Sequence, residues 1–401
     1  MFKRFVAFGV TVAAIAAVVA STLSGTAAAR IDRASAVIPC AAPVAIGVAY
    51  PQTGPAASLG ALQWDWAVAA RNDWNATHSG TKITLVQGDT QLAGPSPQST
   101  QVATAFANNG AIVAVTGPAG SQEQVDTAAI WVNGGLAPVS GSSSRVALTR
   151  GSPRSTTAGF FFRTVPNDGQ QGQKVANFIH LRLHKTKVLI IDDQEVYSTG
   201  LAAQVKANLK AVGVTVVTNS ISQSDTNFSG VIGSIPAGTN LIYIPWQLAS
   251  QAQNFYTQLH NAGKTMPLFG SDGTDDPSTF TGAGSYVSAF PYSPANPTVV
   301  AFAAAHGGDV ESFGIPTWTS VMVNATAIKK MCSLHNGGIT RLQVRNELKN
   351  TFLPGAQSLL GFPVTFLAAN LGKFQGPGDM GGAAGYGVYQ IQGNGVYKRV
   401  G

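Results

Sequence analysis

The chain has 401 residues, a formal charge of +7, 11% charged residues and two cysteines. That length holds two domains of ordinary size, and the even, low charge density without a dense Lys/Arg cluster excludes a nucleic-acid-binding surface. Cys40 and Cys332 cannot build a zinc site based on cysteine pairs.

The N-terminus carries Lys3 and Arg4, an apolar run over 5–23 and then Ala27-Ala28-Ala29. A basic start, an apolar middle and a small-residue cleavage site predict a secretory signal spanning 1–29. Cleavage would leave a charge of +5 and a chain outside the cytoplasm, in the periplasm or on the outer face of the envelope. Cys40 follows a proline and so does not read as a lipidation site. In an oxidising compartment Cys40 and Cys332 form one disulfide or remain two buried thiols; a bridge would tie the mature N-terminus to a helix over 328–333.

Strands are expected over 44–50, 83–88, 112–116 and 137–140, alternating with helices over 59–75, 98–108 and 121–132. The pattern restarts after Thr164, with helices over 169–184, 197–212 and 247–262 and strands over 187–191, 214–219, 241–244 and 268–270. Strand-helix alternation predicts parallel sheets covered on both faces. Two successive units of this kind predict an α/β protein of two doubly wound, Rossmann-like lobes. The C-terminal third is less regular, with helices over 317–335 and 340–350 and a strand over 386–391.

In open α/β sheets ligands bind beyond the carboxyl ends of the strands. Thr53 follows the first strand; Gly117-Pro118-Ala119-Gly120-Ser121 follows the third and opens onto a helix; Ser142, Ser143 and Ser144 follow the fourth. A helix N-terminus with hydroxyl neighbours favours a carboxylate, although serines at such positions are ordinarily caps and turn formers. Beyond the strands of the second unit lie Tyr197, Trp246 and Asp272. An aspartate there can pair with an ammonium and aromatic rings can cover a ligand body, although Ser-Asp-Gly is also an ordinary turn. Asp89, Asp192 and Asp193 read as acids that brace loops. His180 and His184 stand four apart on a helix without a metalloprotease motif and read as surface residues; no metal or other cofactor is implied. A phosphate-cradling loop, a nucleophile elbow and a Ser-His-Asp set are all missing from the sequence, so the reading is not an enzyme.

The run Phe161-Phe162-Arg163-Thr164-Val165-Pro166-Asn167-Asp168-Gly169-Gln170-Gln171-Gly172 joins the two units. With the Gly117 and Ser142 loops before it, and Asp192-Asp193-Gln194-Glu195-Val196-Tyr197 and Phe269-Gly270-Ser271-Asp272-Gly273 after it, the chain resembles the leucine, isoleucine and valine-binding proteins. These are type I solute-binding proteins of ABC transporters, and the resemblance covers roughly 44–398. It implies a three-segment hinge, with lobe 1 formed by 43–163 plus 288–359 and lobe 2 by 164–287 plus 360–398. It further implies a ligand carboxylate held by Ser121, Ser143 and Ser144, and an ammonium met by Tyr197 and Asp272. The expected ligand is a branched-chain or other apolar amino acid, or a related small amide or carboxylate. The expected partner is an ABC permease, with a sensory receptor of the same fold as the alternative.

Overall fold

A computed structural model describes residues 36–92, 97–150, 160–290, 296–308, 310, 312–373, 375–381 and 385–401. The expected signal at 1–29 lies outside the described residues. Two sheets organise the chain. The first has five parallel strands in the order β2-β1-β3-β4-β5: β1 Val44–Tyr50, β2 Ile83–Asp89, β3 Ile112–Thr116, β4 Pro138–Ser140 and β5 Phe162–Arg163. The second has seven, in the order β14-β13-β10-β9-β8-β6-β7. Here β6 Lys187–Asp192, β7 Thr215–Ser220, β8 Leu241–Ile244, β9 Leu268–Gly270 and β10 Tyr286–Ala289 run parallel. β13 Gly387–Ile391 and β14 Tyr397–Arg399 close the edge antiparallel. The central strands are continuous apolar runs because both faces are covered: every residue of β1, β3 and β8 is buried.

The helices follow from their apolar stripes. In α1 (Ala57–Thr77) the buried positions Leu59, Gln63, Trp66, Ala67, Ala70 and Trp74 fall three or four apart on one face. Gly60 lets this helix touch the end of β1, because a Cβ there would sit 1.4 Å from the Pro51 carbonyl oxygen. α2 (Pro97–Asn108) and α3 (Ser121–Gly134) complete the first unit. In the second lobe, α4 (Asp168–Leu181) is capped by Asn167, whose side chain accepts the Gly169 N–H at 3.0 Å. α5 (Val196–Ala211), the single turn α6 (Ser229–Gly233) and α7 (Ala249–Asn261) follow, with an apolar core on each face of the sheet.

The chain then returns to the first lobe. α8 (Pro297–Ala305) stacks Phe302 on Trp66, and α9 (Gly314–Leu334) lies almost wholly buried across the first sheet. Two polar side chains fasten α9 to strand ends: Ser320 donates to the Val139 carbonyl at 2.5 Å and Asn324 to the Val115 carbonyl at 3.1 Å. α10 (Arg341–Leu348) adds a buried Arg341, whose guanidinium donates to the carbonyls of Phe106, Ala107, Asn109, Ile112 and Gly134. Cys40 and Cys332 are disulfide-bonded, joining the N-terminal segment to the last turns of α9.

Two lobe boundaries differ from expectation. β10 belongs to the second sheet through Ala289, so the second crossing comes after 289 rather than at 288. The third crossing is further displaced. Leu359, Leu360, Val364, Phe366 and Met380 all pack into the first core, and the short hairpin β11 (Phe352–Leu353) and β12 (Val364–Thr365) sits beside α9. Leu360, Val364, Phe366 and Met380, expected in lobe 2, therefore belong with lobe 1, and the third crossing comes after Met380 rather than at 360. These apolar residues are too widely spaced among glycines for either period to announce where they pack.

The three crossings converge. Val165, Phe290 and Tyr386, one from each, form an apolar cluster with Leu59 and Phe313. The Tyr386 hydroxyl donates to the Pro166 carbonyl at 3.0 Å. Arg163 and Asp379, both buried, pair directly across the first and third crossings. Thr149 and Asn167 also donate to Asp379, each at 3.0 Å.

Candidate functional site

The carboxyl ends of the two sheets face each other, and between them lies a cleft of about 390 Å³, its open mouth included. Pro51, Leu59, Leu92, Ala119 and Phe313 give it an apolar surface.

On the first-lobe wall, β3 delivers the chain through Gly117–Ser121 into α3. Ser140, at the end of β4, locks this wall: its hydroxyl donates to the Pro118 carbonyl at 2.7 Å and accepts the N–H groups of Ser142 and Ser143. Ser142 reaches the cleft with its hydroxyl donated to the Ala119 carbonyl at 2.9 Å. Ser121 occupies the first turn of α3 and lines the cleft, where the helix N-terminus contributes partial positive charge. Behind it the Glu123 carboxylate accepts the Gly120 N–H at 2.8 Å; complete burial pushes Glu123 up to about 7.

On the second-lobe wall, Asp272 follows β9 and Tyr197 opens α5. The Tyr197 hydroxyl donates to Asp272 Oδ1 at 2.6 Å, and Gln171 of α4 donates to the same oxygen while also donating to Ser288 at 2.9 Å. Asp272 is 1% exposed, and burial pushes its carboxyl up to about 6 despite these donors. Asp168 is likewise pushed up to about 7, by burial first and also by repulsion from the nearby Asp272. Among the described residues, no Lys or Arg lines the cleft. A buried carboxyl on an apolar cleft without a basic partner among the described residues can act as a counter-charge for a cation.

Of the expected site residues, the fold brings Ser121, Tyr197 and Asp272 to one cleft. Four others stand elsewhere. Thr53 is exposed and donates to Asp89 at 2.6 Å; Asp89 also accepts the backbone N–H groups of Gln52, Thr53 and Gln91, and so braces that loop. The Ser143 hydroxyl donates inward to the Pro118 and Ala119 carbonyls at 3.0 and 3.1 Å, stapling the loop. Ser144 turns to the first crossing, where its carbonyl accepts the Asp168 N–H at 2.9 Å. Trp246 is fully buried; its Nε1 donates to the Ile191 carbonyl at 2.7 Å and its ring packs against Phe228 and Phe255. Gln63, which was not anticipated, and Gln247, which follows Trp246 beyond β8, line the cleft from opposite lobes. Gln63 carries a legible signal: it is the one polar residue in the buried stripe of α1.

A family model described as periplasmic binding protein matches residues 43–380. An "amino acid binding protein" of Pseudomonas aeruginosa is 31% identical over 256 residues, 61% of this chain and 65% of that protein. "Leu/Ile/Val-binding protein homolog 1" of Brucella suis is 28% identical over 239 residues, 58% of this chain and 61% of that protein. The chain thus spans just under two thirds of the length of these curated relatives. Among solved structures, a leucine-binding protein LivK from Thermotoga maritima superposes with a TM-score of 0.77 at 20% identity, covering 89% of this chain and 98% of that one. The isoleucine complex of LivJ from Streptococcus pneumoniae gives 0.72 at 19% identity, covering 90% and 99%. A solute-binding protein of R. palustris in complex with benzoate gives 0.74 at 17% identity, covering 90% and 96%. At these identities the likeness is one of fold.

Proposed function

The chain belongs to the periplasmic binding protein family, and from that premise we propose that it is an extracytoplasmic solute receptor for an α-amino acid with an uncharged side chain. The observation that carries this reading is one cleft lined by two opposed polar walls. Ser121 and the N-terminus of α3 offer donors to a carboxylate, and Asp272, oriented by Tyr197 and Gln171, offers a counter-charge to an ammonium. The apolar surface of Leu59, Leu92 and Phe313 suits an uncharged side chain. The names of the relatives support amino acids, branched-chain ones among them.

The hinge supplies the mechanism. Residues on the two lobes meet the ligand only when the lobes approach, so the ligand favours the closed arrangement by the contacts it adds there. The three crossings bend about the Val165–Phe290–Tyr386 cluster. The closed surface is what an ABC permease would recognise. A family of binding proteins, the N-terminal signal pattern, and described residues without a helix long and apolar enough to cross a membrane support delivery from outside the cytoplasm.

Isothermal titration of the mature protein against a panel of amino acids, their amides and aromatic acids tests the proposal. Saturable one-to-one binding of an uncharged-side-chain amino acid, weakened when either its ammonium or its carboxylate is blocked, is the expected result. Binding of only an acid without an ammonium would overturn it.

A further inference from the structure

The two cleft glutamines carry information about the ligand's side chain. Gln63 is 1% exposed. Its Nε2 lies 3.2 Å from Ser142 Oγ and 3.4 Å from Thr317 Oγ1. Each of those hydroxyls has one proton and has placed it elsewhere: Ser142 donates to the Ala119 carbonyl at 2.9 Å, and Thr317 to the Tyr50 hydroxyl at 3.2 Å. The end of the Gln63 amide that meets them must therefore be the NH₂ group, which fixes Oε1 as the other end. No described residue donates to that oxygen, and Gln63 faces the cleft.

Gln247 is oriented by a similar chain of constraints on the opposite wall. Gln223 Nε2 lies 3.4 Å from Asp193 Oδ2 and 3.4 Å from Gln247 Oε1. A carboxylate accepts and does not donate, so Gln223 presents its NH₂ group there, and Gln247 faces it with oxygen. Gln247 Nε2 is then the free end, with no acceptor among the described residues, on a side chain that is 8% exposed and lines the same cleft.

An acceptor on one lobe and a donor on the other, both on side chains that line the cleft, are left for the ligand to satisfy. We infer that the cleft selects amino acids whose side chain ends in a primary carboxamide, its NH₂ donating to Gln63 Oε1 and its carbonyl accepting from Gln247 Nε2. This rests on the amino-acid reading above and narrows it. An aliphatic side chain leaves both glutamines unpaired, and a side-chain carboxylate has no proton for Gln63 Oε1. Because the two partners belong to different lobes, the carboxamide also bridges the closed form.

The experiment compares isosteric probes by calorimetry: L-asparagine with L-leucine and L-aspartate, and L-glutamine with L-homoleucine and L-glutamate. In the wild-type protein the better carboxamide binds at least about 100-fold tighter than its apolar isostere. Gln63→Leu and Gln247→Leu each narrow that ratio by roughly tenfold or more. Leucine or homoleucine binding as tightly as the carboxamide, or variants that leave the ratio unchanged, overturns the inference while the amino-acid reading stands. Failure of every amino acid to bind removes both. If Gln63→Leu does not fold, the wild-type ratio and Gln247→Leu decide.

Discussion

Asp272→Asn separates the cost of the site from its use. The substitution keeps the shape and an oxygen that can accept the Tyr197 hydroxyl, now 2.6 Å from Oδ1. It removes a charge that burial disfavours: the rise of the Asp272 pKa from its ordinary 3.8 to about 6 corresponds to roughly 3 kcal/mol. Loss of the charge also relieves the repulsion it exerts on Asp168. The unliganded variant is therefore expected to melt no lower than wild type, and higher to the extent that this cost is recovered. Binding moves the other way. An ammonium desolvated without its counter-charge costs about 2–5 kcal/mol, a drop in affinity of roughly 30- to 5,000-fold. Calorimetric titration and a thermal melt of the same sample read both quantities. A variant that melts lower and binds with unchanged affinity would refute the reasoning, since Asp272 would then be a structural residue and not a counter-charge.

Four further outcomes are expected. Ser121→Ala lowers affinity for an amino acid by about 1 kcal/mol and spares its carboxamide analogue, the α-amide; equal losses in a paired titration would count against a carboxylate at the start of α3. The buried acids Glu123, Asp168, Asp193 and Asp272 all have raised pKa values, to about 7, 7, 6 and 6, so the folded state binds more protons than the unfolded one. Their contribution to stability is present below the ordinary carboxylate range and lost as pH rises through 6 to 7, on the order of 1–3 kcal/mol per group; melts of the unliganded protein at pH 5 should exceed those at pH 8. Ligand affinity has the opposite sign, falling below about pH 6 by up to roughly tenfold per pH unit as Asp272 takes its proton; an affinity flat between pH 4 and pH 7 would contradict this. Replacing both Cys40 and Cys332 by Ser opens a loop spanning 292 residues of separation; a loss of about 2–5 kcal/mol in a denaturant melt is expected, with affinity retained.

The strand framework was largely legible in the residues. Val44–Tyr50, Ile112–Thr116, Leu241–Ile244 and Leu268–Gly270 form strands with the bounds their apolar runs suggest, because strands buried on both faces are written as unbroken hydrophobic stretches. The return through the hinge was not legible. Leu359, Leu360, Val364, Phe366 and Met380 enter the first core from irregular backbone, where neither the two-residue nor the 3.6-residue period applies. The site was half legible for a related reason. Sequence places a residue at the end of a strand, but the direction of its side chain depends on partners remote in the chain. Ser143 spends its hydroxyl on carbonyls 24 and 25 positions away, and Trp246 donates to a carbonyl 55 positions away. Asp272 differs because its donors, Tyr197 and Gln171, hold it toward the cleft. Gln63 was legible only as the one polar residue in the buried stripe of α1, since a glutamine in an amphipathic segment ordinarily faces water.

The central claim is that one small zwitterion bridges the two lobes. A crystal structure of the mature protein grown with its best-binding amino acid tests this most directly. The account predicts the ammonium within hydrogen-bond distance of Asp272 and the carboxylate at Ser121 and the first turn of α3. Electron density for the amino acid outside the interlobe cleft, or in it with the two ends reversed, would contradict the account.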